Sequence, residues 1–212
     1  MNRFSGWLAA SAFGALCVFA PSVSAAADTW QIDPAHSSAQ FSVTHLTIST
    51  VRGEFGKTSG TIEYDGKDVA SIKVDVTIDA ASITTRNDYR DNDLKSDHFF
   101  DVAKYPTITF KSKKVAAGTG GGFQLVGDLT IHGVTKEVTL DVAQPSKIIK
   151  GMRGETRVGA SAATKINRQD FGVKWNAALD GGGVVVSDMV AITIDIEAMI
   201  PPPAAPAAPP KK

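Results

Sequence analysis

The chain has 212 residues, with 22 Lys+Arg against 22 Asp+Glu, 43% hydrophobic residues and one Cys. A balanced charge excludes the basic surface a nucleic-acid binder needs, so no nucleic-acid partner is expected. This much apolar content, without a long block of like charge, excludes disorder for most of the chain, and the length suits one ordinary domain.

The N-terminal element reads as a leader. No charged residue stands between Arg3 and Asp28, and the apolar stretch Trp7 to Ala20 is followed by Pro21 and small residues. That is the layout of a secretory signal peptide, and the stretch is shorter than the roughly 20 residues of a spanning helix. The small-x-small sites Val23-Ser24-Ala25 and Ala25-Ala26-Ala27 place the mature start at Ala26 or Asp28, with Asp28 preferred and the leader taken as residues 1–27. Cys17 lies inside the leader, so the exported domain is expected to be held by its core and backbone pairing without disulfides. Loss of Arg3 leaves 21 basic and 22 acidic residues, a net charge of −1 that predicts no strong attraction to anionic lipid surfaces. No later segment is long and apolar enough to span a membrane after cleavage.

From Ser37 to His45 the odd positions carry Ala39, Phe41, Val43 and His45 while Ser38, Gln40, Ser42 and Thr44 take the even ones, the period of a half-buried strand. The alternation recurs in Ile72, Val74, Val76 and Ile78, and in Phe123, Leu125, Leu129 and Ile131, where Gly127 predicts a bend or bulge. Val184, Val186, Val190, Ile192, Ile194 and Ile196 also share one parity, with Asp188 the polar exception. Turn signals at Asp65-Gly66, 118–122, His132-Gly133 and 180–183 separate about eight strands, near 29–46, 52–64, 70–79, 105–116, 122–132, 135–143, 153–166 and 184–198. Within 80–104 the charged run from Arg86 to Lys95 predicts one short helix, with Leu94 and Phe99 facing the sheet. Antiparallel strands with one apolar face must close or stack to bury it, giving an all-β barrel or sandwich over residues 28–200. Residues 201–212 form a Pro/Ala-rich tail that cannot join a sheet.

Little in the chain points to catalysis. His36 and His45 differ by an odd number, which puts them on opposite faces of a regular strand, and no pair among His36, His45, His98 and His132 has metal-ligand spacing. Ser161 sits in a strand-like run where a nucleophile elbow needs a sharp turn into a helix. Asp88, Asp91, Asp93 and Asp97 lack the glycine and the terminal glutamate of a calcium loop. No catalytic residue, metal or catalytic cofactor is expected. Arg90, Asp91 and Arg168 are singled out as groups to receive a polar head, on the condition that the helix and the 168–173 loop meet at one mouth of a barrel.

A series of ordered segments resembles the YceI family of exported bacterial proteins. They are Trp30-Gln-Ile-Asp33 with His36-Ser37, Phe41-x-Val43-x-His45, Gly53-x-Phe55, Ser82-Ile83-x-Thr85, Arg90-Asp91-x-x-Leu94-Lys95-Ser96 and Phe99-Phe100-Asp101. Tyr105-Pro106-x-Ile108-x-Phe110, Gly127 to Lys136, and Asn167-Arg168-x-Asp170-Phe171-Gly172-Val173-x-Trp175 complete the set. Thr47 departs from the Gly often found after the His-Leu pair. The resemblance implies a lipocalin-like, eight-stranded antiparallel β-barrel that binds a polyisoprenoid or other long-chain amphiphile in its interior, in the periplasm, without catalysis; a homodimer is left open. On that basis the ligand-binding candidates are Phe41, Val43, His45, Phe55, Val74, Val76 and Ile78, then Arg90, Asp91, Leu94, Phe99, Phe110, Leu125 and Leu129, with Arg168, Phe171 and Trp175 near an opening. A lipid carrier for storage or transport is the first expectation. An envelope interaction module with a filled barrel is the alternative, and the small residues Ala39, Gly127, Ala160 and Ala162 at interior positions lean towards a cavity.

Overall fold

The computed structural model describes residues 27–202. Apart from Ala27, Pro201 and Pro202, the expected leader and tail lie outside the described residues. The strands are β1 (Asp28–Ile32), β2 (Ser38–His45), β3 (Ser49–Phe55), β4 (Thr58–Tyr64), β5 (Lys73–Asp79) and β6 (Ile83–Thr84), followed by helix α1 (Asp88–Lys95). After it come β7 (Thr107–Ala117), β8 (Phe123–Ile131), β9 (Val134–Val142), β10 (Ile149–Lys150), β11 (Thr156–Asn167) and β12 (Met189–Ile200).

All twelve segments belong to one antiparallel sheet, and β11 and β12 close it into a ring. β1 with β2 and β3 with β4 each act as one long bent strand, so the ring contains eight strands: of the barrel and the sandwich that the strand pattern allowed, it is the closed barrel implied by the family resemblance. Closure rests on a ladder that runs without interruption from Thr156↔Ile200 to Asn167↔Met189. On its other edge β12 serves β1 through Gln31↔Met199 and Ile32↔Ala198, then β2 from Ser38↔Asp195 to Ser42↔Ala191.

The two bends have local causes. Between Ile32↔Ala198 and Ser38↔Asp195 the first strand uses six steps where β12 uses three, so Asp33 to Ser37 must loop out. The second bend falls at Gly56-Lys57, where both backbone N–H groups donate to Ser82, to its carbonyl (3.3 Å) and its Oγ (3.2 Å). There the strand exchanges β6 for β5 as its partner. The bulge foreseen at Gly127 falls instead on the facing strand: Ser112 pairs with Gly127 and Lys114 with Val126, leaving Lys113 as the extra residue. Gly127 answers a different need, because a Cβ there would come within 2.6 Å of the Phe110 ring. The last strand starts later than its apolar parity suggested. Residues 184–188 instead wrap the end of β2, with Leu46 N–H donating to the Val185 carbonyl (2.9 Å) and Ser187 N–H to that of Thr44 (2.9 Å).

Helix α1 is capped by Asn87, whose side chain accepts from Arg90 N–H, and Asp88 sits in its first turn while Lys95 sits in its last. Phe99 lies beyond the helix, in the turn that carries the chain back to the barrel. One part of the core gathers Phe55, Ile83, Phe99, Phe110 and Phe171, and a second gathers Trp30, Tyr64, Val158 and Ala198. Trp30 is 1% exposed, and its indole N–H donates to the Tyr64 carbonyl at 3.0 Å, so a large apolar group is buried with its polar edge satisfied.

Beside this second group, Arg157 holds the looped-out segment. Its Nη1 donates to Asp33 Oδ2 (2.8 Å) and to Glu197, and its Nε to Glu155 Oε1 (3.0 Å). Asp33 also accepts from Ala35 N–H (3.0 Å) and lies 3.0 Å from His36 Nδ1. The Arg157 guanidinium, helped by His36, lowers the Asp33 carboxyl to about 2 from an ordinary 3.8. A carboxyl depressed in the folded state stabilises it above the unfolded pKa and loses that contribution as pH falls through the folded one. Stability should therefore decline between about pH 4 and pH 2, and Asp33→Asn should flatten that segment while lowering stability at neutral pH. Urea unfolding midpoints across this range test it; an unchanged acid limb in the variant would remove Asp33 from the account.

Candidate functional site

A barrel of eight strands is at the size where its interior is either filled by side chains or left open for one small ligand. Here it encloses a cavity of about 490 Å³, inside the roughly 300–1,000 Å³ usual for small-molecule sites. The filled-barrel alternative needed a packed interior, and this one is hollow. Along β5 the inward positions are Val74, Val76 and Ile78; along β12 they are Val190, Ile192, Ile194 and Ile196. These side chains point inward yet are only half-buried, because the space they face is empty of protein. Ala160 and Ala162 on β11 are inward too, and their short side chains leave room opposite the β12 isoleucines. Gly53 contributes in the same way, since a Cβ there would lie 2.4 Å from the ring of Phe41, its cross-strand partner.

Of the residues singled out in the sequence, Phe41, Val43, His45, Phe55, Val74, Val76, Ile78, Arg90, Leu94, Phe99, Phe110, Leu125, Leu129, Arg168, Phe171 and Trp175 all border the cavity. Asp91 does not. Ala160 and Ala162, taken from the sequence as small interior residues, border the cavity as well, whereas Ile62, Ile72, Leu140, Ile192 and Ile194 were not among the ligand-binding candidates, although the parity of β12 already pointed to the last two. Val186 shares the apolar parity of the last strand, whereas Val185 owes its place at the cavity to how an irregular segment wraps β2.

Helix α1, the end of β2 and the 173–188 segment surround one mouth. Trp175 stacks on Phe99 with ring centroids 5.2 Å apart, tying the segment after β11 to the one after the helix. Tyr89 and Trp175 border the cavity and are also exposed to solvent, by 87% and 37%. Arg90 and Arg168 both border the cavity, but the three members of the charged trio do different work. Asp91 turns away from the cavity: its carboxylate accepts from Thr84 Oγ1 (3.2 Å) and from both the N–H (2.8 Å) and hydroxyl of Thr85. Burial works to raise its pKa, and these hydrogen bonds outweigh burial and hold it below the usual carboxylate value. Thr85 in turn accepts from Arg90, at Oγ1 from Nε (2.7 Å) and at its carbonyl from Nη2 (2.9 Å). Arg90 is thereby oriented at the mouth, and its Nη1 makes no hydrogen bond among the described residues.

Arg168 has no donor to spare. Nε donates to the Ser187 carbonyl (3.0 Å), Nη1 to the carbonyls of Val173 (2.8 Å) and Trp175 (2.9 Å), and Nη2 to the Val186 carbonyl (3.4 Å) and Asp188 Oδ1 (3.3 Å). It is 6% exposed, and burial pushes its pKa down against the pull of Asp188. The residue is a clamp that gathers the mouth segment around one planar fork, not a receiver of head groups. The turn that presents it is set by Asn167, whose side chain caps Gln169 N–H, and by Gly172 at φ 81, a left-handed conformation suited to glycine.

The remaining polar clusters are already neutralised. Asp33, His36 and Glu197 come close enough together to suggest a cation site, but the Arg157 guanidinium sits on both carboxylates. Ser161 faces outward and donates to Asp195 at 2.7 Å. Arg168→Lys keeps the charge and loses the fork, leaving several carbonyls unpartnered. It should cost about 2–4 kcal/mol in urea unfolding, and a change under about 0.5 kcal/mol, the size of an ordinary surface substitution, would deny the clamp.

The chain matches the YceI-like domain over residues 30–198. It is 40% identical over 154 residues to UPF0312 protein SAB2563 of Staphylococcus aureus, covering 73% of this chain and 87% of that one. A Campylobacter jejuni YCEI protein of known crystal structure is 36% identical and superposes with a TM-score of 0.63 over 74% of this chain and 90% of the other. BcnA of Burkholderia cenocepacia, 24% identical, shares the fold with a TM-score of 0.66 over 78% of this chain and 98% of its own. So does a polyisoprenoid binding domain from Saccharophagus degradans, 21% identical, with a TM-score of 0.58 over 81% and 98%. With the barrel, its cavity and these likenesses in hand, the chain belongs to the YceI-like domain family.

Proposed function

We propose that this protein is an exported, non-catalytic binding protein that holds one polyisoprenoid or other long-chain amphiphile in its barrel, for storage or transport in the periplasm. The observation that carries this reading is the cavity of about 490 Å³ with an almost wholly aliphatic and aromatic wall. The polyisoprenoid binding domain that shares its fold and the leader-like N-terminal sequence support it. Moving a chain from water into such an interior gains about 0.8 kcal/mol per methylene, so twelve methylenes give roughly 10 kcal/mol before costs. Ordering the chain and losing its translational freedom remove several kcal/mol, which leaves a micromolar to nanomolar affinity. Apolar burial selects poorly among chains. Discrimination then falls to the polar groups on the wall, where Arg90 Nη1 offers donors to a head group and His45 also borders the cavity.

Native mass spectrometry of protein purified from its own envelope, followed by solvent extraction, should reveal one long-chain molecule per barrel. Val76→Arg places a cation on the wall and Ala162→Phe fills the space; each should lower lipid uptake at least tenfold. The second variant, which adds no charge, keeps the test valid if the first fails to fold. Folded variants that still retain lipid would overturn the cavity assignment, and protein free of adduct after incubation with isoprenoid lipids would overturn the carrier.

A further inference from the structure

The segment Lys147-Ile-Ile-Lys-Gly-Met-Arg153 plays no part in the cavity. It forms a short ribbon through β10, which pairs with the start of β11 at Ile149↔Arg157 and Lys150↔Thr156. Three apolar side chains stand in solvent there, Ile148 at 42%, Ile149 at 58% and Met152 at 104% exposure. Lys147, Lys150 and Arg153 alternate with them and are also exposed. None of these three cations lies within ion-pair distance of a carboxylate among the described residues.

The ribbon is built, not loose. Glu155, 8% exposed, fixes the turn: its carbonyl accepts from Gly151 N–H (2.8 Å), its Oε2 from Arg153 N–H (2.9 Å) and its Oε1 from Arg157 Nε (3.0 Å). Single exposed apolar residues need no explanation. Three of them interleaved with three unpaired cations on a braced turn match a surface that is negative outside and apolar just beneath, which is the headgroup boundary of an anionic bilayer. A second copy of this chain fits worse, because its ribbon would bring like charges together and the β10 edge is two residues long.

We infer that the Lys147–Arg153 ribbon docks the barrel on an anionic lipid bilayer. The net charge of −1 read from the sequence does not speak against this, since charges more than about 8 Å away are screened at physiological salt and a local cluster acts by itself. The ribbon adjoins Thr156 at one end of β11 while Arg168 and the mouth follow Asn167 at the other. Eleven steps of about 3.3 Å separate them by roughly 36 Å. Docking therefore leaves the mouth clear of the bilayer that holds the protein, and it stands independently of what fills the barrel.

Full-length protein and variants are sedimented with vesicles of phosphatidylcholine alone, or with about a third phosphatidylglycerol to supply negative charge. Wild type should bind the anionic vesicles and not the neutral ones, and raised salt should weaken binding. Lys150→Gln and Arg153→Gln should each lower the partition coefficient about fivefold, and Met152→Ser should lower it with lipid uptake by the barrel unchanged. All variants carry the same termini, so differences between them report the ribbon alone. Equal binding by wild type and variants, or no binding, would overturn the inference. A self-association in analytical ultracentrifugation that Met152→Ser abolishes without altering vesicle binding would reassign the patch to a second copy.

Discussion

The ladder between β11 and β12 is the constraint on which the rest depends. The twelve residues of β12 meet β11 along their whole length, and its other edge must serve both halves of the bent first strand. A sheet left open here would expose two rows of unpaired backbone groups and the aliphatic face they carry. Once it closes, the circumference belongs to eight strands, and the interior is wider than the side chains lining β11 fill. The cavity is thus a consequence of closure combined with alanines at 160 and 162.

Two arginines resolve the irregularities that closure creates, one at each end of β11. Arg157 gathers Asp33, Glu155 and Glu197 where the first strand loops out, and Arg168 gathers four carbonyls and Asp188 where the chain leaves the ladder. Both use the same chemistry, a planar fork of donors that satisfies several acceptors in fixed geometry. They serve different purposes. The first anchors the loop after β1 and indirectly braces the exposed ribbon through Glu155, whereas the second gathers the segment after β11.

At the mouth a chain of contacts runs from Asp91 through Thr85 to Arg90, so a buried carboxylate aims a guanidinium without touching the cavity itself. A mouth built this way keeps one oriented cation against an apolar wall, and the ribbon keeps three more at the far end. The mouth and the ribbon thus lie at opposite ends of β11.

The sequence by itself determined the strand number and the inward parity of most wall residues, because period-two alternation and turn residues act locally and survive in the linear pattern, while the ordered motif segments carried the resemblance to the family. It also identified nearly every cavity residue it sought. Only the tertiary structure decided what the polar residues do. Arg90, Asp91 and Arg168 look alike as charged groups in a motif, and their roles part once the acceptors around them are counted: Asp91 is spent on Thr84 and Thr85, Arg168 on carbonyls and a carboxylate from a segment up to twenty residues away, and of the three Arg90 alone keeps donors free among the described residues. The bulge at Lys113, the late start of β12 and the exposed ribbon at 147–153 share that dependence. Each is set by pairing or exposure between segments distant in the chain, which no local periodicity encodes.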